Sequence, residues 1–401
     1  MKIESKDDLA VVANASEPES DRAEDDAAPV AENHAVSRDL ADWSTRKPAL
    51  VDYLRHARAK SGRGSLELAR EFYRLSRARG KLTLPEYVQY GVYDTARNSP
   101  EDQARFITNT LHWPITHACC DMTWQATTED KWLCSHILRE SAVRIPVTLG
   151  VIDKSGRAYP GTRRIATAAE LRDFVTTPDM LPLFGKENRG ICSFGAFLAE
   201  DADQQGIHLK GHGRIGYEAF MDEFVSDTPY LLQRLERNHG FFDRYTDSLA
   251  TIRVCILNGA DHVGIPFAVL KLPSRDNVAD SFWRPGNLAC GLDLESGRIL
   301  TARSKDALGT TDHTAHPETG AALVGETVPM WDRVLDLARA CAPIFQPVRY
   351  QSMDIAVTGE GPVLIEVNTG GGFDLPQLAT GEGFLTDEVS AFFRDCGYKG
   401  L

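Results

Sequence analysis

Near the C-terminus runs Ser352-Met-Asp-Ile-Ala-Val-Thr-Gly-Glu-Gly-Pro-Val-Leu-Ile-Glu-Val-Asn368, two β-rich runs flanking Gly359-Glu-Gly361. That pattern is a hairpin signature. A turn centred on Glu360 sets Asp354 and Glu366 opposite each other across the ladder. Asn368, two residues past Glu366, projects from the same face. Val363, Ile365 and Val367 mark the other face as buried. Two carboxylates facing each other in an apolar hairpin repel and destabilise it, whereas a divalent cation between them makes the same pair a binding site. Oxygen-only donors, here two carboxylates and an amide, favour Mg²⁺ or Mn²⁺ over zinc, and Mg²⁺ fills its octahedron with phosphate oxygens and water. The bland alternative is a polar, solvent-facing stripe.

Three further features bear on chemistry. Lys186-Glu-Asn-Arg-Gly190-Ile-Cys-Ser193-Phe-Gly195 follows a strand and leads into another. It is either a plain loop or a flexible cradle aiming an ammonium and backbone N–H groups at phosphates. Asp130-Lys131 opens a helix with Asp130 as N-cap. A lysine there opposes the helix dipole, so Lys131 is either a functional cation or an ordinary surface lysine. Thr251-Ile-Arg253-Val-Cys-Ile-Leu places an arginine inside an apolar strand, where it needs an anion, from a salt bridge or a substrate.

Around these motifs the helical pattern runs from Pro48 to Arg79, broken at Ser61–Gly64, then from Pro85 to Tyr93, with a later helix at Trp331–Cys341. Strands are expected near 147–152, 181–186, 194–199, 230–234, 249–257, 262–272 and 288–294, ahead of the hairpin. Several follow one another without helices between them, so the sheets should be largely antiparallel and the class α+β.

The chain has 401 residues and a net charge of −13, enough length for two or three domains. Residues 1–34 hold ten Asp/Glu against three Lys/Arg, and no aromatic residue precedes Trp43. Such a stretch buries too little apolar surface to offset its ordering entropy and is expected to be disordered. No apolar run reaches the roughly 20 residues of a membrane helix, and the acidic start reads as no signal peptide. The expected location is therefore the cytoplasm. The basic stretch from Arg55 to Lys81 reads as a helix face, so no nucleic-acid partner is expected. The eight cysteines are scattered without a CxxC pair, as for reduced thiols packed as small hydrophobes. The group His112, His117, Cys119 and Cys120 matches no standard zinc spacing.

Taken in order, the motifs resemble the ATP-grasp superfamily, and most closely its sugar-transfer-associated members, which are related to α-L-glutamate ligases. The resemblance covers residues 80–385. It includes Leu82-Thr-Leu-Pro-Glu-Tyr87, Asp130-Lys131-Trp132, Thr251-Ile-Arg253 and Gly291-Leu-Asp-Leu-Glu-Ser-Gly297. It continues with His316-Pro-Glu-Thr-Gly320, Met353-Asp-Ile-Ala356 and Leu364-Ile-Glu-Val-Asn368. Composition and periodicity give a disordered acidic tail (1–45) and a helical region (46–120), and the resemblance adds an ATP-grasp domain (121–401). That domain would divide into a lid and ATP-binding part (121–235) and a metal and acceptor part (236–401).

By the same resemblance, Lys131 and Lys186 contact ATP phosphates, and residues 187–195 form a lid that brings Gly190, Ser193 and Gly195 to them. Gln233 to Glu236 sits at the adenine–ribose hinge, Arg253 faces the substrate, and Asp354, Glu366 and Asn368 hold Mg²⁺ or Mn²⁺. Two departures stand out. Gln233 occupies a position usually acidic, and Glu187 replaces the usual proline after the phosphate lysine. The implied reaction joins a small-molecule carboxylate to an amine or thiol through an acylphosphate, in cell-surface polysaccharide or related metabolism. The alternatives are phosphate transfer to a sugar or other hydroxyl, with Asp312–His316 near the acceptor, and nucleotide binding without turnover. Gly370–Gly372 with Phe373 and Asp374 is expected to shape the acceptor pocket.

Overall fold

The computed structural model describes residues 34–43, 48–282 and 284–401. Most of the acidic stretch expected to lack structure lies outside them. At the end of that stretch, inside the tail over 1–45 expected to be disordered, His34–Trp43 is a helix. A ten-residue helix is marginal alone, and this one is held by burial of Ala35 and Asp39 against the body of the protein.

Strands divide into two sheets. The first holds β1 (Thr148–Ile152), β2 (Arg163–Ile165), β3 (Leu183–Glu187), β4 (Phe197–Ala202), β5 (Ile207–Leu209), β6 (Gly213–Ile215) and β7 (Tyr230–Arg234). Its order is β2-β1-β7-β3-β4-β5-β6. The second holds β8 (Thr251–Asn258), β9 (Val263–Gly264), β10 (Ala268–Leu272), β11 (Leu288–Gly291), β12 (Arg303–Lys305), β13 (Thr310–Asp312), β14 (Tyr350–Thr358) and β15 (Gly361–Thr369). Its order is β13-β12-β11-β10-β8-β14-β15, with β9 beside β8. Among the described residues only β1 and β2 pair in parallel, so the class is the antiparallel-dominated α+β expected from the strand succession.

Each sheet has its own core. Ile165, Phe174, Phe197, Phe220 and Tyr230 pack under the first. The second carries the larger core, to which Ile107, Leu111, Ile115 and Cys119 of the helical region also contribute. Two helices span Leu50–Ser61 and Ser65–Ser76, with Gly62 in a left-handed cap between them, at the expected break. The run 262–272, expected as one strand, divides into β9 and β10. Pro266 lies between them and cannot donate to a ladder. No helix among the described residues is long and apolar enough to cross a membrane.

Candidate nucleotide and metal site

The face of the second sheet that carries the charges is built by β8, β14 and β15. All nine residues of β14 are buried, so a charged side chain there survives only with partners. Asp354 is paired in register with Arg253 of β8 on one side and Glu366 of β15 on the other. The expected confrontation of carboxylates is present, but its origin differs. The turn is two residues long, with Thr358 opposite Gly361, and that register would set Asp354 against Ile365. A bulge between Leu364 and Glu366 moves the pairing by one residue and brings Glu366 opposite Asp354. An extra residue of this kind re-aims the side chains beyond it.

Lys186, the penultimate residue of β3 in the other sheet, donates to the carbonyl of the bulged Ile365 at 3.2 Å. Lys131, capped into place by Asp130 accepting from the Leu133 N–H, reaches Glu366 Oε1 at 3.0 Å and the Gly190 carbonyl at 2.6 Å. The two lysines thus converge on the Glu366 end of the hairpin. Burial alone would raise the Glu366 carboxyl, but Lys131 and Lys186 outweigh it and hold it below the usual range. Burial pushes the Lys186 ammonium down, with Glu366 opposing.

Asp354 is engaged from the other side. Arg253 grips it bidentately, Nε to Oδ1 at 2.6 Å and a terminal nitrogen to Oδ2 at 2.8 Å. Burial is overcome by Arg253 and Lys271, which keep the carboxyl well below its ordinary value. Arg253 is therefore in an ion pair here. Asn368 turns its amide to the Ser352 carbonyl at 3.3 Å.

The donor chemistry fits a hard divalent cation, because two facing carboxylates and a nearby amide offer oxygen only. Among the described residues, this site included, no three His, Cys, Asp or Glu side chains cluster to hold a metal, so the site offers two carboxylates and an amide. His112 instead accepts from the Gly371 N–H at 3.0 Å, and Cys120 donates to the Tyr350 carbonyl.

Between the two sheets lies a narrow cleft lined by Lys131, Lys186, Gln233, Glu366 and apolar groups including Leu138, Ile145 and Leu364. Gln233, buried in β7, therefore reaches the cleft. Glu236 does not line it and pairs with Arg144 at 3.4 Å.

In the expected lid, Cys192 (φ 55°), Ser193 (φ 54°) and Gly195 (φ 66°) all have left-handed backbones. The Gly195 N–H points to Asp39 at 2.9 Å. His316 lies apart from the cleft, buried beneath a turn with its ring 5.9 Å from Tyr245. Phe373, expected near the acceptor, is fully buried in the core against Tyr350 and Phe384.

Missed by sequence reasoning is Lys271 of β10, 3.2 Å from Asp354 Oδ2. The available signal was a single cation in an apolar five-residue run.

Comparison with solved structures finds loose similarity to ATP-grasp ligases. The VanG D-Ala:D-Ser ligase of Enterococcus faecalis is 12% identical with a TM-score of 0.38, over 68% of this chain and 64% of that one. The D-alanine–D-alanine ligase of Bacillus anthracis complexed with ATP is 16% identical with a TM-score of 0.38, over 69% and 70%. The N5-carboxyaminoimidazole ribonucleotide synthetase of Thermotoga maritima is 10% identical with a TM-score of 0.31, over 61% and 42%. This chain thus spans less than two thirds of the length of the VanG ligase. No curated protein matches it. The model of the sugar-transfer associated ATP-grasp family matches residues 121–391, about two thirds of the sequence, and the chain belongs to that family.

Proposed function

We propose that this chain is an ATP-dependent ligase that activates a small-molecule carboxylate as an acylphosphate and transfers the acyl group to an amine or thiol, releasing ADP and phosphate. The observation that carries the reading is the meeting of Asp354 and Glu366 across the hairpin, with Lys131 and Lys186 converging on Glu366 beside an apolar cleft. The adenine would enter that cleft against Leu138, Ile145 and Leu364, with Gln233 supplying polar contacts. Lys131 and Lys186 would hold the phosphates, and the 187–195 loop, with Gly190, Ser193 and Gly195, would close over them. Asp354, Glu366 and Asn368 would hold Mg²⁺ or Mn²⁺, which when bound neutralises charge on the transferring phosphoryl group. Arg253 would orient the substrate carboxylate for attack on the γ-phosphorus, a positioning role that needs no side-chain nucleophile. Membership of a family described as associated with sugar transfer supports a reaction connected to cell-surface polysaccharide, which we place in the cytoplasm.

Thermal unfolding with and without Mg·ATP tests the nucleotide reading. At about 100 times its Kd the ligand should stabilise the protein by roughly 2.7 kcal/mol. Glu366→Gln or omission of Mg²⁺ should abolish the shift. A wild type indifferent to millimolar Mg·ATP would reject the reading. Once binding is secured, ADP release that needs only a hydroxyl acceptor would mean phosphate transfer, and binding without turnover across acceptor panels would mean a non-catalytic protein.

A further inference from the structure

All five residues of β10 are buried, and one of them is Lys271. Lys271 pairs in register with Thr251 and Val269 with Arg253, so Lys271 shares a face with Arg253 and, through β8, with Asp354. Its Nζ lies 3.2 Å from Asp354 Oδ2 and 3.3 Å from Asp280. The Thr251 hydroxyl donates to Asp280 as well. Asp354 thus carries two cations, Arg253 on both oxygens and Lys271 on one. Along this face four cations, Lys131, Lys186, Arg253 and Lys271, meet three carboxylates, Glu366, Asp354 and Asp280.

This arrangement has a consequence once Asp354 turns an oxygen to a divalent cation, as the metal–nucleotide reading on which this inference rests requires. Lys271 keeps Asp280, while Asp354 is the one carboxylate with which Arg253 forms an ion pair among the described residues. Arg253 then loses its one carboxylate and Lys271 one of its two, beside a divalent ion in a buried site, and buried charge needs a partner. On the nucleotide reading, ATP would lie on the other side. Lys131 and Lys186 line the cleft, whereas Arg253 and Lys271 do not. The geometry points to Lys271 and Arg253 together as a second anion seat, which takes the substrate carboxylate and is kept closed by Asp354 until the metal site fills. Lys271 is then a substrate-binding residue, and Asp280 with Thr251 holds its ammonium in place through the exchange.

Inorganic phosphate, a compact anion and a product of the proposed reaction, serves as the probe. It is titrated calorimetrically into the full chain, alone and with saturating Mg·ADP. The wild type is expected to bind phosphate at least tenfold tighter when Mg·ADP is present, and acetate is expected to compete. Lys271→Met, measured at Mg·ADP concentrations that saturate the variant, should lose about tenfold or more of that phosphate affinity, and Lys271→Arg should restore most of it. Equal phosphate binding by wild type and Lys271→Met, or no effect of Mg·ADP on the wild type, would overturn the anion seat. Competition failing for acetate alone would overturn its assignment to a carboxylate. If Lys271→Met does not fold, the wild-type comparison and Lys271→Arg still decide. Absence of Mg·ADP binding by the wild type is a different result, which removes the nucleotide reading and this inference with it.

Discussion

Glu187 ends β3, one residue beyond Lys186. Burial pushes its carboxyl up from 4.5 to about 7, with Lys131 pulling the other way. The sign of the resulting pH effect is opposite to that of a salt-bridged carboxylate. Below about pH 4.5 folded and unfolded chains both hold the proton, and Glu187 contributes nothing. Between 4.5 and 7 the unfolded chain ionises first, so stability falls as pH rises, and above about 7 the loss is constant. Each pKa unit corresponds to about 1.4 kcal/mol, so the ceiling is about 3 kcal/mol, reduced by the solvent contact the side chain keeps. Glu187→Gln should therefore overtake the wild type in melting temperature across that window. A difference between the two proteins that does not change between pH 4.5 and 7 would reject the buried, neutral carboxyl.

Elements show what the sequence could and could not display. The hairpin was legible because β-branched runs, Gly359 and Gly361 and the spaced carboxylates all point one way. The bulge at Ile365 was not, since nothing in Val-Leu-Ile-Glu distinguishes a bulged residue from a paired one. The meeting of Asp354 and Glu366 was thus expected from a turn of the wrong length and realised by the bulge. Strands of three residues, such as β2, β5, β6, β12 and β13, are too short to show alternation. Lys271 passed unnoticed because one polar residue hardly alters an apolar run, and its partner Asp354 comes from distant sequence.

The helix His34–Trp43 was hidden for a related reason, because its stability is tertiary. Asp39 accepts from the Gly195 N–H at 2.9 Å and from Arg284 at 2.8 Å, while Arg284 also donates to the Ser193 carbonyl. The Ser281 hydroxyl holds the Cys192 carbonyl at 2.8 Å. The 192–195 loop is therefore fastened from two directions. A hydrogen bond to a charged group contributes about 1.5–3 kcal/mol, so Asp39→Ala should speed amide exchange at Gly195 and its neighbours by roughly tenfold or more. Unchanged exchange there would show that this helix does not hold the loop.

At the scale of the molecule, the helical region is a structural part of the candidate site's support. Gly370 approaches the helix His112–Cys119 so closely that a Cβ would lie 2.5 Å from Thr116 Oγ1 and 2.7 Å from His112 Nε2. His112 receives the Gly371 N–H, and Asn109 receives the Phe373 N–H at 2.8 Å. The glycine run expected to shape an acceptor pocket thus owes its close approach to the protein's own helix. Gln377 ties the same regions together. Its amide accepts from the Ile107 N–H and donates to the Ile107 carbonyl, both at 2.9 Å, and accepts from the Phe384 N–H at 3.2 Å.

The division expected at residue 120 therefore separates segments that share one core, since Ile107, Leu111, Ile115 and Cys119 pack with the second sheet. Two halves with a common core and satisfied cross-links should melt together. Gln377→Leu keeps the volume but leaves three buried backbone groups without this partner, each worth about 1–3 kcal/mol. The expected cost is on the order of 3 kcal/mol or more, read as a fall of several degrees in melting temperature. Calorimetry should show the helical region and the second sheet unfolding in one transition in both proteins. A separate, earlier transition of residues 48–120, located by hydrogen exchange, would mean that the helical region is an attached domain and that the glycine loop is not held by it.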